Sequence, residues 1–162
     1  MKKLVLVLSA LLLLVTGTFA KTEHKKITVD NQLSQSFAQK YPHATVKKWY
    51  HVGDKDVALF VVDKKKNFAY FLSDGSWVRT ETKLPGSHAL PGAVAKAWGN
   101  SGYESWQVSS VKDVQTPDGE MYTVRANYDY GPEGSIPGDD MDEVRLYYKP
   151  DGTFIKKVVL SD

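Results

Sequence analysis

The feature that most restricts the fold is a helix-and-strand pattern that occurs twice along the chain. Apolar residues spaced four apart share one side of a helix, and each such helix is followed by strand-forming segments. Residues of the two copies correspond at one constant offset: Leu33 with Leu90, Phe37 with Val94, Tyr41 with Trp98, and Trp49 with Trp106. Similarity at a fixed offset predicts a repeated structural unit.

The ends of both helices are predicted by capping and proline rules. Asp30 is suited to cap a helix that ends at Tyr41, because the residue before Pro42 disfavours helical geometry. The second helix is predicted to begin near Pro91, a residue favoured in the first helical turn, and to end at Gly99.

Each helix is followed by four segments rich in β-branched and aromatic residues, at 45–52, 56–62, 66–72 and 76–82, then at 105–114, 121–128, 143–148 and 153–160. The pair Asp74-Gly75 is typical of a two-residue hairpin turn, and Asp151-Gly152 matches it in the second copy. The expected fold class is therefore α+β, with two tandem units that each combine one helix with a four-stranded antiparallel sheet.

The order of these features resembles a known family. It runs from Tyr41-Pro42 and Trp49 through the segment Phe71-Leu72-Ser73-Asp74-Gly75-Ser76-Trp77 to Leu90-Pro91. This pattern is similar to the PepSY-like proteins, a family also described as similar to the beta-lactamase inhibitory protein. The resemblance implies a helix packed on an antiparallel sheet, usually repeated, in an exported protein that binds or inhibits. It implies no catalytic residues.

The N-terminus predicts export. Lys2 and Lys3 precede an apolar run from Leu4 to Val15, and Ala20 ends a stretch of small residues. This is the layout of a secretory signal peptide cleaved near Ala20, and the run is short for a membrane span. No cysteine follows it, which excludes a lipoprotein. We expect a signal peptide at 1–20, a flexible leader at 21–28 and a PepSY-like domain at 29–162, built of units 29–84 and 85–162, in the periplasm or secreted.

Net charge and cysteine content restrict the kinds of partner and chemistry that the chain can have. Lys2 and Lys3 are the only charged residues in 1–20, so cleavage takes the formal net charge from +2 to zero. A neutral domain lacks the electrostatic footprint of a nucleic-acid binder. Without cysteine there is no disulfide or thiolate chemistry. We expect a protein partner in the envelope or outside it, no nucleic acid, and no membrane insertion after cleavage.

Recognisable catalytic motifs are absent from the sequence. None of the four histidines has zinc-protease spacing, and there is no nucleophile elbow, Walker loop or dinucleotide fingerprint. We therefore expect no enzyme and no cofactor. An enzyme built on an unrecognised carboxylate pair ranks lowest among the hypotheses.

The acidic segment 129–143 supports a second hypothesis. Its glycines and prolines exclude a helix, and clustered carboxylates can gather a hard cation such as calcium. The weak candidate ligands are Asp139, Asp140, Asp142 and Glu143. The alternative function is therefore a small-ligand or cation sensor, although a solvated acidic loop is the favoured interpretation.

Strand periodicity predicts a binding face. In the second copy Arg145, Lys149 and Lys156 share one side with Tyr147 and Phe154, so that side should face water. By equivalence, Phe68, Tyr70, Trp77 and Arg79 face outward in the first copy. We expect a partner-binding face of Phe68, Tyr70, Trp77, Arg79, Arg145, Tyr147, Lys149 and Phe154, rich in the residue types of binding hot spots. The competing interpretation is that this face packs against the other unit or against another segment of the same chain. The leading hypothesis is an exported non-enzymatic binding module, which could inhibit a periplasmic or secreted hydrolase.

Overall fold

The structure, a computed structural model, describes residues 25–26, 29–129 and 141–160. The predicted signal peptide at 1–20, most of the predicted leader and the loop residues 130–140 lie outside the described residues.

Two α-helices form where the capping pattern predicts them. Helix α1 spans Asn31–Lys40, and the Asp30 side chain accepts a hydrogen bond from the Leu33 amide at 2.9 Å. Helix α2 spans Gly92–Gly99 directly after Pro91. Within the described residues, no helix is long and apolar enough to cross a membrane.

The nine strands within the described residues join one antiparallel sheet, in which each strand pairs with its neighbours in the sequence. The strands are β1 Lys25–Lys26, β2 Val46–Val52, β3 Lys55–Val62, β4 Lys65–Phe71, β5 Trp77–Leu84, β6 Gln107–Thr116, β7 Gly119–Asp129, β8 Met141–Tyr148 and β9 Phe154–Val159. The eight predicted strands are present. The two-residue strand β1 was not predicted, because it falls in the segment expected to be a flexible leader.

The two halves form one continuous sheet rather than two packed layers. Strand β5 pairs with β6, and Leu84 lies opposite Val111 across that junction. The observed fold is α+β, and it is compatible with two tandem units. Because the halves meet edge to edge, the competing interpretation, in which the other unit covers the predicted face, is wrong for the described residues.

Both helices pack on the same side of the sheet, here called the helix side. Leu33 and Phe37 of α1 form one cluster with strand residues that include Phe60, Ala69 and Phe71. Phe37 is 3% exposed and Ala69 is fully buried, so the ring fills the space that the small residue leaves. The predicted packing of Phe37 over Ala69 and Phe71 is therefore observed.

The second half repeats this arrangement with different residues. Val94 and Trp98 of α2 pack on a cluster with Val124, Leu146 and Tyr148. The opposite side of the sheet, here called the open face, has no helix of the described residues over it.

The hairpin turns differ from the predicted two-residue form. The Leu72 amide bonds to the Ser76 carbonyl, which leaves a three-residue loop closed by Gly75 at φ 82°. Trp77 therefore lies opposite Phe71, while Arg79 lies opposite Tyr70, so Val78 is an extra residue in β5. The second hairpin repeats this: Phe154 lies opposite Tyr148, and Lys156 lies opposite Tyr147.

Candidate protein-binding face

The open face contains two adjoining depressions. One, of about 470 Å³, is lined in part by Tyr50, Phe68 and Tyr70 from the first half. The other, of about 380 Å³, is lined in part by Arg145 and Tyr147 from the second half. Glu81 and Lys112 line both, so the junction between β5 and β6 lies at the centre of this face.

Glu81 organises the centre of the open face. Its carboxylate accepts a hydrogen bond from Arg79 Nε at 2.8 Å and another from Lys112 Nζ at 2.6 Å. The Tyr70 hydroxyl donates to the same carboxylate at 3.3 Å, and the Arg79 guanidinium carbon lies 3.8 Å from the centre of the Tyr70 ring. One aromatic ring and two cations are thus held around a single carboxylate.

Electrostatics keep this cluster charged. Burial opposes ionisation of Glu81, but the hydrogen bonds and charges of Lys112 and Arg79 outweigh it, so its pKa lies below the ordinary value. Burial, reinforced by the Glu81 charge, raises the pKa of Tyr70. The Tyr70 hydroxyl therefore stays protonated at neutral pH and remains a donor.

The second half places like charges side by side. Arg125 and Arg145 are directly opposite each other on β7 and β8. Glu143 forms an ion pair with Arg125. Like charges opposite each other in a sheet are destabilising, so an anion placed between these arginines would relieve their repulsion.

Five of the eight predicted binding residues lie on the open face: Phe68, Tyr70, Arg79, Arg145 and Tyr147. The placement of Trp77 is wrong, because the three-residue loop turns it to the helix side, where it packs on the Phe37 cluster. The placement of Phe154 is wrong for the same reason, and its ring lies 5.9 Å from that of Tyr148. Lys149 is not on the face either, since it follows the last residue of β8 in the hairpin turn.

Sequence reasoning missed Glu81, Lys112 and Arg125. Lys112 and Arg125 lie on β6 and β7, outside the two Asp-Gly hairpins from which the face was predicted, and Glu81 lies on β5 two residues beyond Arg79, the last residue assigned to the face there. The period-two alternation of buried Val111 with Lys112, and of buried Val124 with Arg125, could have placed both cations on the open face.

The predicted cation site is only partly covered by the structure. Asp139 and Asp140 lie outside the described residues. Asp142 and Glu143 belong to strand β8, not to a loop, and neighbouring strand residues point to opposite faces of a sheet. These two therefore cannot turn to a common ion. Within residues 25–26, 29–129 and 141–160, no three histidine or acidic side chains converge on a metal-sized site.

Known proteins share this fold at low sequence identity. No sequence-family model matches the chain, and no curated protein matches it. A DUF2874 family protein from Bacteroides ovatus ATCC 8483 superposes with a TM-score of 0.69 at 23% identity, covering 84% of this chain and 91% of that chain. A BLIP-like protein from Bacteroides fragilis NCTC 9343 gives a TM-score of 0.70 at 24% identity, covering 84% and 89%.

A third solved structure, from Bacteroides eggerthii DSM 20697, is described as a candidate periplasmic protein. It gives a TM-score of 0.68 at 19% identity over 83% of this chain and 91% of that chain. The fold is therefore a BLIP-like α+β fold, shared with DUF2874 proteins. These neighbours are consistent with the resemblance to PepSY-like and BLIP-like proteins, and at such identities the likeness concerns the fold alone.

Proposed function

We propose that this chain is an exported, non-enzymatic binding protein that docks a folded protein partner on its open face. The observation that carries the proposal is the cluster of Tyr70, Arg79, Glu81 and Lys112 at the centre of a sheet face over which no helix of the described residues lies. Tyrosine and arginine are the residue types enriched where protein interfaces gain most of their binding energy.

The cluster is organised before any partner arrives. Glu81 is 8% exposed and fixes Arg79 and Lys112, while the Arg79 guanidinium lies against the Tyr70 ring. Side chains that are already ordered lose less conformational entropy on binding. The face can therefore bind a rigid partner without first rearranging.

The charge of the open face favours a partner with an acidic surface. Five basic side chains and one carboxylate line the two depressions: Lys48, Arg79, Lys112, Arg125 and Arg145, with Glu81. This basic face belongs to a chain whose formal net charge would be zero without residues 1–20. Charge complementarity would steer an acidic surface toward it and make the association sensitive to salt.

Two further observations support export and inhibition. The N-terminal sequence has the layout of a signal peptide, and one structure with the same fold is described as a candidate periplasmic protein. Another is described as BLIP-like, which favours a hydrolase of the periplasm or the medium as the partner. In that case the open face would cover the entrance to the active site of the hydrolase.

A pull-down with matched tyrosine variants tests the docking face. Tagged mature protein is incubated with an envelope extract of the producing organism, and recovered proteins are compared between wild type and Tyr147→Ala. Tyr128→Ala is the control, because Tyr128 is 40% exposed but lies on the helix side of the sheet.

The expected result is a partner lost with Tyr147→Ala, kept with Tyr128→Ala, and weakened as ionic strength rises. Equal recovery with wild type and Tyr147→Ala would exclude the open face as the docking surface. If a partner is recovered, the purified partner is assayed for hydrolase activity with and without the purified chain, and inhibition by the chain is expected.

A further inference from the structure

The two helices differ in side-chain size and charge at one position next to their hairpins. Gly75 lies against Ser36 of α1, and Gly152 lies against Ala93 of α2, so Ser36 and Ala93 occupy equivalent places over their hairpins. Four residues further along the helices stand Lys40 and Ala97. One helix therefore carries a long cationic side chain where the other carries a methyl group.

In the first half, Lys40 covers the aromatic ring of the hairpin. Its ammonium nitrogen lies 3.5 Å from the centre of the Trp77 ring, and the Trp77 indole N–H donates to the Thr80 hydroxyl at 2.9 Å. The aliphatic stem and the cation together fill the space beside the end of the helix.

In the second half, the corresponding space is open. Phe154, which corresponds to Trp77, is 53% exposed. A hollow of about 480 Å³ lies beside it, with Ala97, Tyr103, Tyr148 and Lys157 among its lining residues. That volume is within the range of small-molecule sites.

The lining of the hollow indicates the chemistry of a ligand. Its walls are mostly aromatic and aliphatic, and none of the lining residues is acidic. Lys157 donates to the Tyr103 hydroxyl at 2.7 Å and has no carboxylate partner among the described residues. An apolar hollow with one cation at its edge that no described carboxylate neutralises fits a ligand with a flat apolar body and a single negative charge.

The wall also includes the buried residue Tyr148, which is 1% exposed. Burial raises the pKa of its hydroxyl, and the nearby Ser101 hydroxyl opposes that shift. The Tyr148 hydroxyl is itself inaccessible, so Tyr148 contributes its ring to the wall of the hollow and its hydroxyl is not a ligand contact.

We propose that the hollow between the end of α2 and strands β8 and β9 is a binding site for a small aromatic carboxylate. Its ring stacks against Phe154 in the space that Lys40 fills in the first half, and its carboxylate faces Lys157. This site lies on the helix side of the sheet, so it is separate from the docking face and can be occupied whether or not a partner is bound.

The test is an NMR titration of the isotope-labelled mature protein with phenylacetate, and separately with phenethylamine as the cationic counterpart. With phenylacetate, the amide resonances of Ala97, Tyr148 and Lys157 should show chemical-shift changes that saturate. With phenethylamine, these changes should be smaller. No saturable shift with phenylacetate, or shifts that map to the open face, would overturn the proposal.

Variants make the assignment specific. Ala97→Lys restores the cover found in the first half and should abolish the titration, while Lys157→Gln should weaken phenylacetate binding about fivefold, as expected for one exposed charge pair. Lys83→Gln, the same change on an exposed residue of β5 away from the hollow, should leave the affinity unchanged. Unaltered binding to Ala97→Lys would contradict the proposal. If that variant does not fold, Phe154→Ala, which removes an exposed ring, takes its place with the same expectation.

Discussion

The backbone carbonyl oxygen of Ala93 lies 2.6 Å from the point where a Cβ on Gly152 would stand. In the first half, a Cβ on Gly75 would stand 2.5 Å from the Ser36 hydroxyl oxygen. Both glycines have positive φ, 87° and 82°, so alanine at either position meets backbone strain as well as a clash. The two clashes differ in kind, since a serine side chain can rotate and a helix carbonyl cannot.

We expect Gly152→Ala to destabilise the protein more than Gly75→Ala. Gly102→Ala is the control, because Gly102 has φ 77° but nothing within 4 Å of its Cβ position, so it reports backbone strain alone, about 1–2 kcal/mol. Urea unfolding of the three variants gives the order. A Gly152→Ala variant as stable as Gly102→Ala would mean that the helix does not press on the hairpin.

The Phe37 ring should be the largest single contributor to the first cluster. Phe37→Ala leaves a cavity beneath α1, and such changes typically cost about 3–5 kcal/mol. Trp77→Ala should also be destabilising, because it removes the contact with Lys40. The effect should be smaller than that of Phe37→Ala, because the Trp77 ring is only partly buried. Tyr70→Ala, on the open face, should cost least. A lower melting temperature for Trp77→Ala than for Phe37→Ala would contradict this order.

Glu81 should stabilise the fold mainly when it is ionised. Its pKa is lowered in the folded state, so the contribution is present above the unfolded pKa and is lost as pH falls through the folded value. Glu81→Gln should therefore destabilise the protein at pH 7, by about 1–2 kcal/mol because the Arg79 and Lys112 side chains lose a charged partner. The difference in free energy of unfolding between wild type and Glu81→Gln should narrow as the pH falls below 4.5, the ordinary pKa of a glutamate. A stability difference that does not change with pH would show that the charge of Glu81 is not the cause of the destabilisation.

Asp113 should act in the opposite sense. Burial, with repulsion from Glu120, raises its pKa to about 6 against the opposing effect of Lys65, and its Oδ1 atom is buried without a hydrogen bond among the described residues. A raised folded pKa means that the protonated form suits the fold, so stability falls as pH rises from about 4 through 6.

We therefore expect Asp113→Asn to raise the melting temperature at pH 8 and to make little difference near pH 4. Asp118→Asn, in the exposed turn between β6 and β7, is the control and should have no such pH-dependent effect. Equal stabilisation by Asp113→Asn at both pH values would exclude ionisation as the cause.

The helices and strands were predictable because their rules are local. Asp30 caps α1, Pro91 precedes α2, and the eight predicted strands agree with the alternation of apolar and polar residues. The faces of Trp77 and Phe154 were not predictable in the same way. An Asp-Gly pair can close a two-residue turn, or occupy the last two positions of a three-residue loop, and the choice shifts the next side chain to the other face.

The proposed binding role of the open face depends on contacts between strands that the alternation of residues along one strand does not predict. Glu81 meets Lys112 only because β5 pairs with β6 across the second helix. No local pattern in the sequence predicts the partner of a strand so far along the chain. The predicted face therefore contained Tyr70 and Arg79 but lacked the carboxylate that holds them in place.

The order of strands in the sheet has a consequence for how the chain acquires its structure. Because each strand pairs with its neighbours in the sequence, most pairings close short loops, which cost little entropy and favour rapid folding. The Phe37 cluster contains no residue beyond Trp77, and the Val94 cluster contains none before Leu84. A chain that emerges from a narrow channel with its N-terminal end first could complete the first cluster while the second half is still extended. The sheet would then grow in one direction, with β5 as the template on which β6 begins the second half.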